Sequence, residues 1–287
     1  MRTRISLLIP SVALAAALTA CGDGGPSKAD FTAKADGSCT AGNTAISSAA
    51  KPANAPQVAA SAGTAVTTVD GQVATLRSME MPGGKDKTQI EGIIAAIGEV
   101  SAPTKSLQEA AGKNDDAAMS KAAVEMQAKV DAAATSAQAY GLTQCGTGLK
   151  PAVANLFEGT KSVVKSSYTA KAEGLCKAAY RKLDAIAEPG ASGAAVARYL
   201  DAVLAVSVKL AADIRALPAP PGDEATVGEF GPAFDAVNAK IKETSAAAKA
   251  NNQRLAGALS EEIDVASTAL NAKLDAYGLP TCGSSGA

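Results

Sequence analysis

Three observations predict an all-α fold of two tandem four-helix-bundle-like modules, each closed by a disulfide. The composition is alanine-rich, with 47% hydrophobic residues, only 3% aromatics and no Trp. Alanine loses no side-chain entropy in a helix, so such a chain favours helices with a lean core. Apolar residues recur at 3-4 spacing along most of the length. Finally, Phe31-Thr-Ala-Lys-Ala-Asp-Gly-Ser-Cys39 returns as Tyr168-Thr-Ala-Lys-Ala-Glu-Gly-Leu-Cys176. Likewise Ala139-Tyr-Gly-Leu-Thr-Gln-Cys-Gly146 returns as Ala276-Tyr-Gly-Leu-Pro-Thr-Cys-Gly283. Both pairs share an offset of 137 residues, and the cysteines within each copy are 106 residues apart. One module, bounded by a cysteine at each end, is read as duplicated.

The amino terminus reads as an address. Arg2 and Arg4 precede an apolar stretch from Ile5 to Ala17, and small residues then lead to Cys21. That stretch is short for a membrane span, which needs about 20 predominantly apolar residues. Leu18-Thr19-Ala20-Cys21 resembles the lipobox of bacterial lipoproteins. The resemblance implies a signal peptide over residues 1–20, cleavage before Cys21 and acylation of its thiol, which anchors the chain to the membrane. Two or more acyl chains hold stably where one is marginal. Residues 21–30 then form a lipidated tether.

The cysteines divide into one plus four. An exported chain meets an oxidising compartment, so Cys39, Cys145, Cys176 and Cys282 are expected to pair. Of the three connectivities, the repeat selects Cys39–Cys145 and Cys176–Cys282, because each unit then closes on itself. Zinc is disfavoured, since the chain has no His and no CxxC.

In module 1, residues 31–146, a first helix over about 31–50 is weakened by Gly37, Gly42 and Asn43 and closed by Pro52 and Pro56. A second over about 56–81 carries Ala62, Val66, Val69, Val73 and Leu76. A third starts near Asp86, and Pro103 kinks or splits it, with Ser101 as a new N-cap. A fourth runs from about Asn114 to Tyr140 along a seam of Met119, Ala123, Met126, Val130, Ala133 and Ala137, stopped by Gly141. Residues 147–167 have no counterpart in the repeat and read as a helical connector, with Pro151 suited to a first helical position.

Module 2, residues 168–283, repeats the four segments with larger side chains, before a tail at 284–287. Its second segment aligns at an offset of 138, where Leu76-Arg-Ser becomes Ile214-Arg-Ala. Its fourth seam is Leu255, Leu259, Ile263, Ala266, Leu270, Leu274 and Tyr277. The greater bulk predicts that module 2 is the more stable. In an up-down-up-down bundle both cysteines of a module lie at the same end, where a staple ties its termini.

The lipobox followed by helical modules, each with an early Cys and a closing Tyr-Gly-Leu-x-x-Cys, resembles uncharacterised lipoproteins of high-GC Gram-positive bacteria. The motif stands here as Tyr140 to Cys145 and Tyr277 to Cys282. The resemblance implies a helical fold and a cell-envelope location, and it implies no activity.

The chain shows no catalytic constellation. Without His the common triads are excluded. Ser120-Lys121 and Ser162 with Lys165 are formal Ser-Lys candidates, read more simply as helix surface. Asp115-Asp116 and Glu261-Glu262 suit the starts of the fourth helices, where negative charge favours the dipole. Pro82-Gly83-Gly84-Lys85 lacks the P-loop spacing. Tyr140 and Tyr277 are tempting stacking groups, read as core-capping residues with their hydroxyls at the rim. A net charge of −1, or −3 once Arg2 and Arg4 are removed, suggests no nucleic-acid partner.

The expected function is therefore a non-enzymatic envelope lipoprotein, with no cofactor, that offers a binding or scaffold surface to an envelope protein. The alternative is a carrier of an apolar small molecule or lipid, held between helices of module 1, where an alanine-lined seam leaves space. Replacing Cys21 by Ser is expected to move the chain from the membrane fraction to the soluble fraction and to remove the acyl mass, as read by fractionation and intact mass spectrometry.

Overall fold

The computed structural model describes residues 25–286, and Cys21 and the expected signal peptide lie outside them. Ser27 caps α1 (Lys28–Ser47) by accepting a hydrogen bond from the Asp30 amide. Asn54 does the same for α2 (Ala55–Ser78) through the Gln57 amide. The interruptions expected to weaken α1 are absorbed by tertiary contacts: Gly42 lies against the Gln72 side chain, and Asn43 donates to the Gln144 carbonyl at 2.8 Å.

The third segment splits, as Pro103 predicts, into α3 (Lys85–Gly98) and α4 (Ser101–Gly112). Ser101 is not the cap, however. Val100 holds that position with helical angles, and Ser101 instead donates its hydroxyl to Asp70 on α2. The break is thus a kink at Glu99 and Val100, with Pro103 placed in a first turn where its missing amide costs nothing. Asp115 caps α5 (Asp116–Tyr140), and Gly141 ends it at φ 102°. There the Leu142 amide reaches back to the Ala137 carbonyl, closing a Schellman-type turn. The short α6 (Thr143–Gly146) carries Cys145.

The connector is part of one long helix, α7 (Leu149–Asp184), of 36 residues, or about 54 Å at about 1.5 Å per residue. Pro151 is its third residue rather than its first. Leu149, Ala152, Val153, Leu156 and Val164 enter the core of module 1, whereas Tyr168, Ala172 and Cys176 enter the core of module 2. The N-terminal half of α7 is therefore a further helix of module 1, packed against α1, α2 and α5. Asn155 donates to the Ser47 and Ala49 carbonyls there, and Gly159 permits a close approach to Pro52.

Module 2 comprises the C-terminal half of α7 with α8 (Gly193–Arg215), α9 (Glu224–Gly228), α10 (Phe230–Lys249) and α11 (Gln253–Tyr277). A 3-10 turn follows at Ser284–Gly286. α10 packs on both α8 and α11. The third segment again splits, here at Glu229, and Gly278 stops α11 at φ 96°. Both disulfides pair within their modules, Cys39 with Cys145 and Cys176 with Cys282, with Cα separations of 5.0 and 5.1 Å. A crosslink closing a loop of about 100 residues stabilises by about 4–5 kcal/mol in the chain-entropy model.

The two cores differ in the opposite sense to that expected from side-chain size. In module 1, Leu107, Met119, Ala123, Met126, Val130 and Ala137 are completely buried. In module 2, Leu200, Val203, Leu204, Leu210 and Ile263 are only half-buried. Val208, Leu255 and Val265 there are exposed. Hydrophobic stabilisation follows the apolar area removed from water, not the size of the side chain. The packing therefore favours module 1. Hydrogen exchange is expected to show slower amide exchange in α2, α4 and α5 than in α8 and α11; the reverse order would restore the expectation from bulk.

Candidate functional site

The motif residues build matching structures at the disulfide end of each module. Asp36 accepts hydrogen bonds from the Thr143, Gln144 and Cys145 amides at 2.9, 2.7 and 3.2 Å, capping α6. Glu173 stands 137 residues later and accepts from the Thr281 amide at 2.9 Å. An acidic side chain on the first helix thus fixes the segment that carries the second cysteine.

The tyrosines behave alike in part. Lys28 lies over the Tyr140 ring, 4.1 Å from its centroid, and Lys165 lies over the Tyr277 ring at 4.2 Å. These lysines are also 137 residues apart, so the likeness between the modules begins before Phe31 and Tyr168. Their hydroxyls differ. That of Tyr140 is buried with no hydrogen-bond partner among the described residues. That of Tyr277 donates to Asp223 at 3.0 Å, while its ring meets Tyr168 and Phe230 edge-on. Burial, together with the bond to charged Asp223, pushes the Tyr277 phenol well above its ordinary range, and burial raises Tyr168 to about 12.

Asp223 is the centre of the junction between modules. It precedes α9 and receives Lys161 at 3.0 Å and Lys165 at 3.3 Å from the middle of α7. Burial alone would raise its pKa, but the bonds from Lys161, Tyr277 and Lys165 outweigh that and hold it below the usual carboxylate value. Asp116, at the start of α5, pairs with Lys171 at 2.5 Å and accepts from Ser167. Ser120 donates to the Ala219 carbonyl at 2.8 Å, a third tie between the modules.

The side chains of the Ser-Lys candidates are each engaged with other partners. Ser120 is joined to Ala219 and Lys121 to Glu125, and Ser162 donates to Glu158 while Lys165 serves Asp223. Asp115 and Asp116 do sit at the start of α5. Glu261 and Glu262 do not stand at a helix start, because α11 begins at Gln253; Glu262 instead pairs with Lys240 at 2.8 Å. No group of three or more His, Cys, Asp or Glu side chains that could hold a metal ion occurs among the described residues.

The alanine-lined seam of module 1 is buried, with Ala123, Ala133 and Ala137 fully enclosed. Its small residues let α5, α4 and α2 approach closely, and the N-terminal half of α7 closes the remaining side. An apolar cleft of about 230 Å³ lies in module 2, lined by Tyr180, Leu183, Val203, Leu210, Phe234 and Leu270. It adjoins a shallower groove between α7 and α8, bordered by Leu175, Val206 and Lys209. The cleft and the Asp223 junction were not anticipated from the sequence. The pairing of Lys28 and Lys165 could have been, since it obeys the same offset as the motifs.

Comparison with family models, with curated proteins and with solved structures finds no match. No described helix is long and apolar enough to cross a membrane.

The depressed pKa of Asp223 sets a pH dependence. Its contribution is present above the usual carboxylate value of 3.8 and is lost as pH falls through the lower folded value. Asp223→Asn is expected to destabilise module 2 by about 1–3 kcal/mol at neutral pH. The difference should shrink toward zero in acid, as read by urea denaturation followed by circular dichroism.

Proposed function

We propose that this chain is an extracytoplasmic lipoprotein, anchored to the membrane at Cys21, whose duplicated helical modules form a non-enzymatic binding or scaffold unit of the cell envelope. The observation that carries this reading is α7, which threads both cores and is tied to module 2 through Asp223 and to module 1 through Asp116. A helix shared by two cores holds them at a set spacing, as a spacer or presenting surface requires. The lipobox-like segment supplies the anchor, and the reach comes from the residues ahead of α1, which begins at Lys28 and so shortens the tether expected over residues 21–30. The polar side chains nominated for catalysis are occupied in structural contacts, which supports a non-enzymatic role.

The cleft in module 2 gives specific ground for a second reading, a carrier of an apolar molecule or lipid. The lining of that cleft places this role in the space between α7, α8, α10 and α11 of module 2, besides the module 1 seam named above. Affinity capture of the anchored chain from cross-linked envelopes is expected to recover a reproducible protein partner. Recovery of none above background, together with a lipid-sized adduct in native mass spectrometry, would favour the carrier instead.

A further inference from the structure

This inference rests on the binding-scaffold reading and names the partner that module 2 takes. In module 1, the α2 positions Val58, Ala62, Ala65 and Gln72 are all buried. The α8 positions 138 residues later, Val196, Leu200, Val203 and Leu210, are all only half-buried. The same contrast holds on the first helices, where Asn43 and Ile46 are buried but Tyr180 and Leu183 are not. It holds on the fourth helices too, where Val130 and Ala134 are buried but Ser267 and Asn271 are half-buried.

One difference between the modules accounts for all three. In module 1 the slot between α1, α2 and α5 is filled by the N-terminal half of α7. Lys150 pairs there with Asp131 at 2.8 Å, and Asn155 caps the end of α1. In module 2 no described segment takes that place; the described residues after Cys282 form the turn at Ser284–Gly286. The uncovered strip runs from Leu175 to Leu183 on α7 and from Val203 to Asp213 on α8, about two turns or more of each helix.

We propose that this groove docks one amphipathic helix of a second envelope protein, laid across α7, α8 and α11 as residues 149–164 are laid across α1, α2 and α5. Its apolar stripe resembles Leu149, Val153 and Leu156, with small residues between them. Its flank is acidic. Lys177, Arg181 and Lys182 border the groove and form no salt bridge among the described residues; Asp184 stands beside them as one opposing carboxylate, and Asp213 is paired with Lys209, so the rim keeps a net positive charge. The corresponding positions of module 1, Thr40, Thr44 and Ala45, carry no charge. The acidic groups beside Tyr180, Glu173 and Asp275, already accept the Thr281 and Ser284 amides. Asp131, which receives the basic helix in module 1, has Thr268 as its counterpart. The rim of module 2 therefore selects the opposite charge to that of α7.

The test uses the oxidised chain from residue 21 with Cys21→Ser, and two labelled synthetic peptides. One is residues 149–165, and the other is the same peptide with Lys150, Lys161 and Lys165 replaced by Glu. By fluorescence anisotropy the acidic peptide is expected to bind at least about tenfold more tightly than the natural one. Val206→Glu, at a half-exposed groove position, should weaken it by about tenfold or more, and reversing Lys177, Arg181 and Lys182 to Glu should invert the preference. Binding of neither peptide, or binding unaffected by Val206→Glu, overturns the proposal. So does a lipid-sized adduct or a dimer of this chain that Val206→Glu abolishes. Photo-crosslinkers placed at Lys182 and at Lys113 in cells separate the two readings. Crosslinks to protein from Lys182 support the groove. Crosslinks from Lys113 alone sink the groove but keep the scaffold, and none from either sinks both.

Discussion

The structure depends on the continuity of α7. Its early turns complete the core of module 1, and its later turns begin the core of module 2. The helix cannot break at the junction without exposing apolar residues on one side or the other. The ionic contacts of Lys161 and Lys165 with Asp223, and of Lys171 with Asp116, fall where the helix passes between the cores. Both carboxylates are largely shielded, so each would be costly to leave unpaired. The pairs therefore act as orientation constraints more than as sources of stability.

Sharing a helix also explains why the cores differ. Module 1 gains a covering element from its successor, and small residues suffice because α7 adds a further helix to its walls. Gly42, Gly148 and Gly159 all stand at close approaches where a Cβ would collide. Module 2 receives no such cover from the described chain and carries larger apolar side chains over a more open surface. Its larger side chains stand around an open groove along α7 and α8.

The disulfide end is the most alike part of the two modules. An acidic group on the first helix, a lysine over a tyrosine ring and a glycine in the left-handed region recur in both. Each orders the short segment between the fourth helix and its cysteine. The ends of each module are thereby brought together covalently and held by directed polar contacts, which suits a chain with few aromatic side chains to bury.

The sequence by itself determined the helical class, the cysteine pairing, the helix stops at Gly141 and Gly278 and the break near Pro103. These depend on local periodicity, on backbone preference and on a numerical offset, and such signals act along the chain. It did not determine that Ser101 would reach Asp70 instead of capping, that α7 would belong to two cores, or that the bulkier module would be the less enclosed. It also left Asp223 unmarked, because a single aspartate in a Pro-rich turn gains meaning only when lysines from a distant helix arrive beside it. Burial, ion pairing and the open groove are properties of which surfaces meet, and residues 149–164 cover one module and not the other only because of how the chain folds in three dimensions.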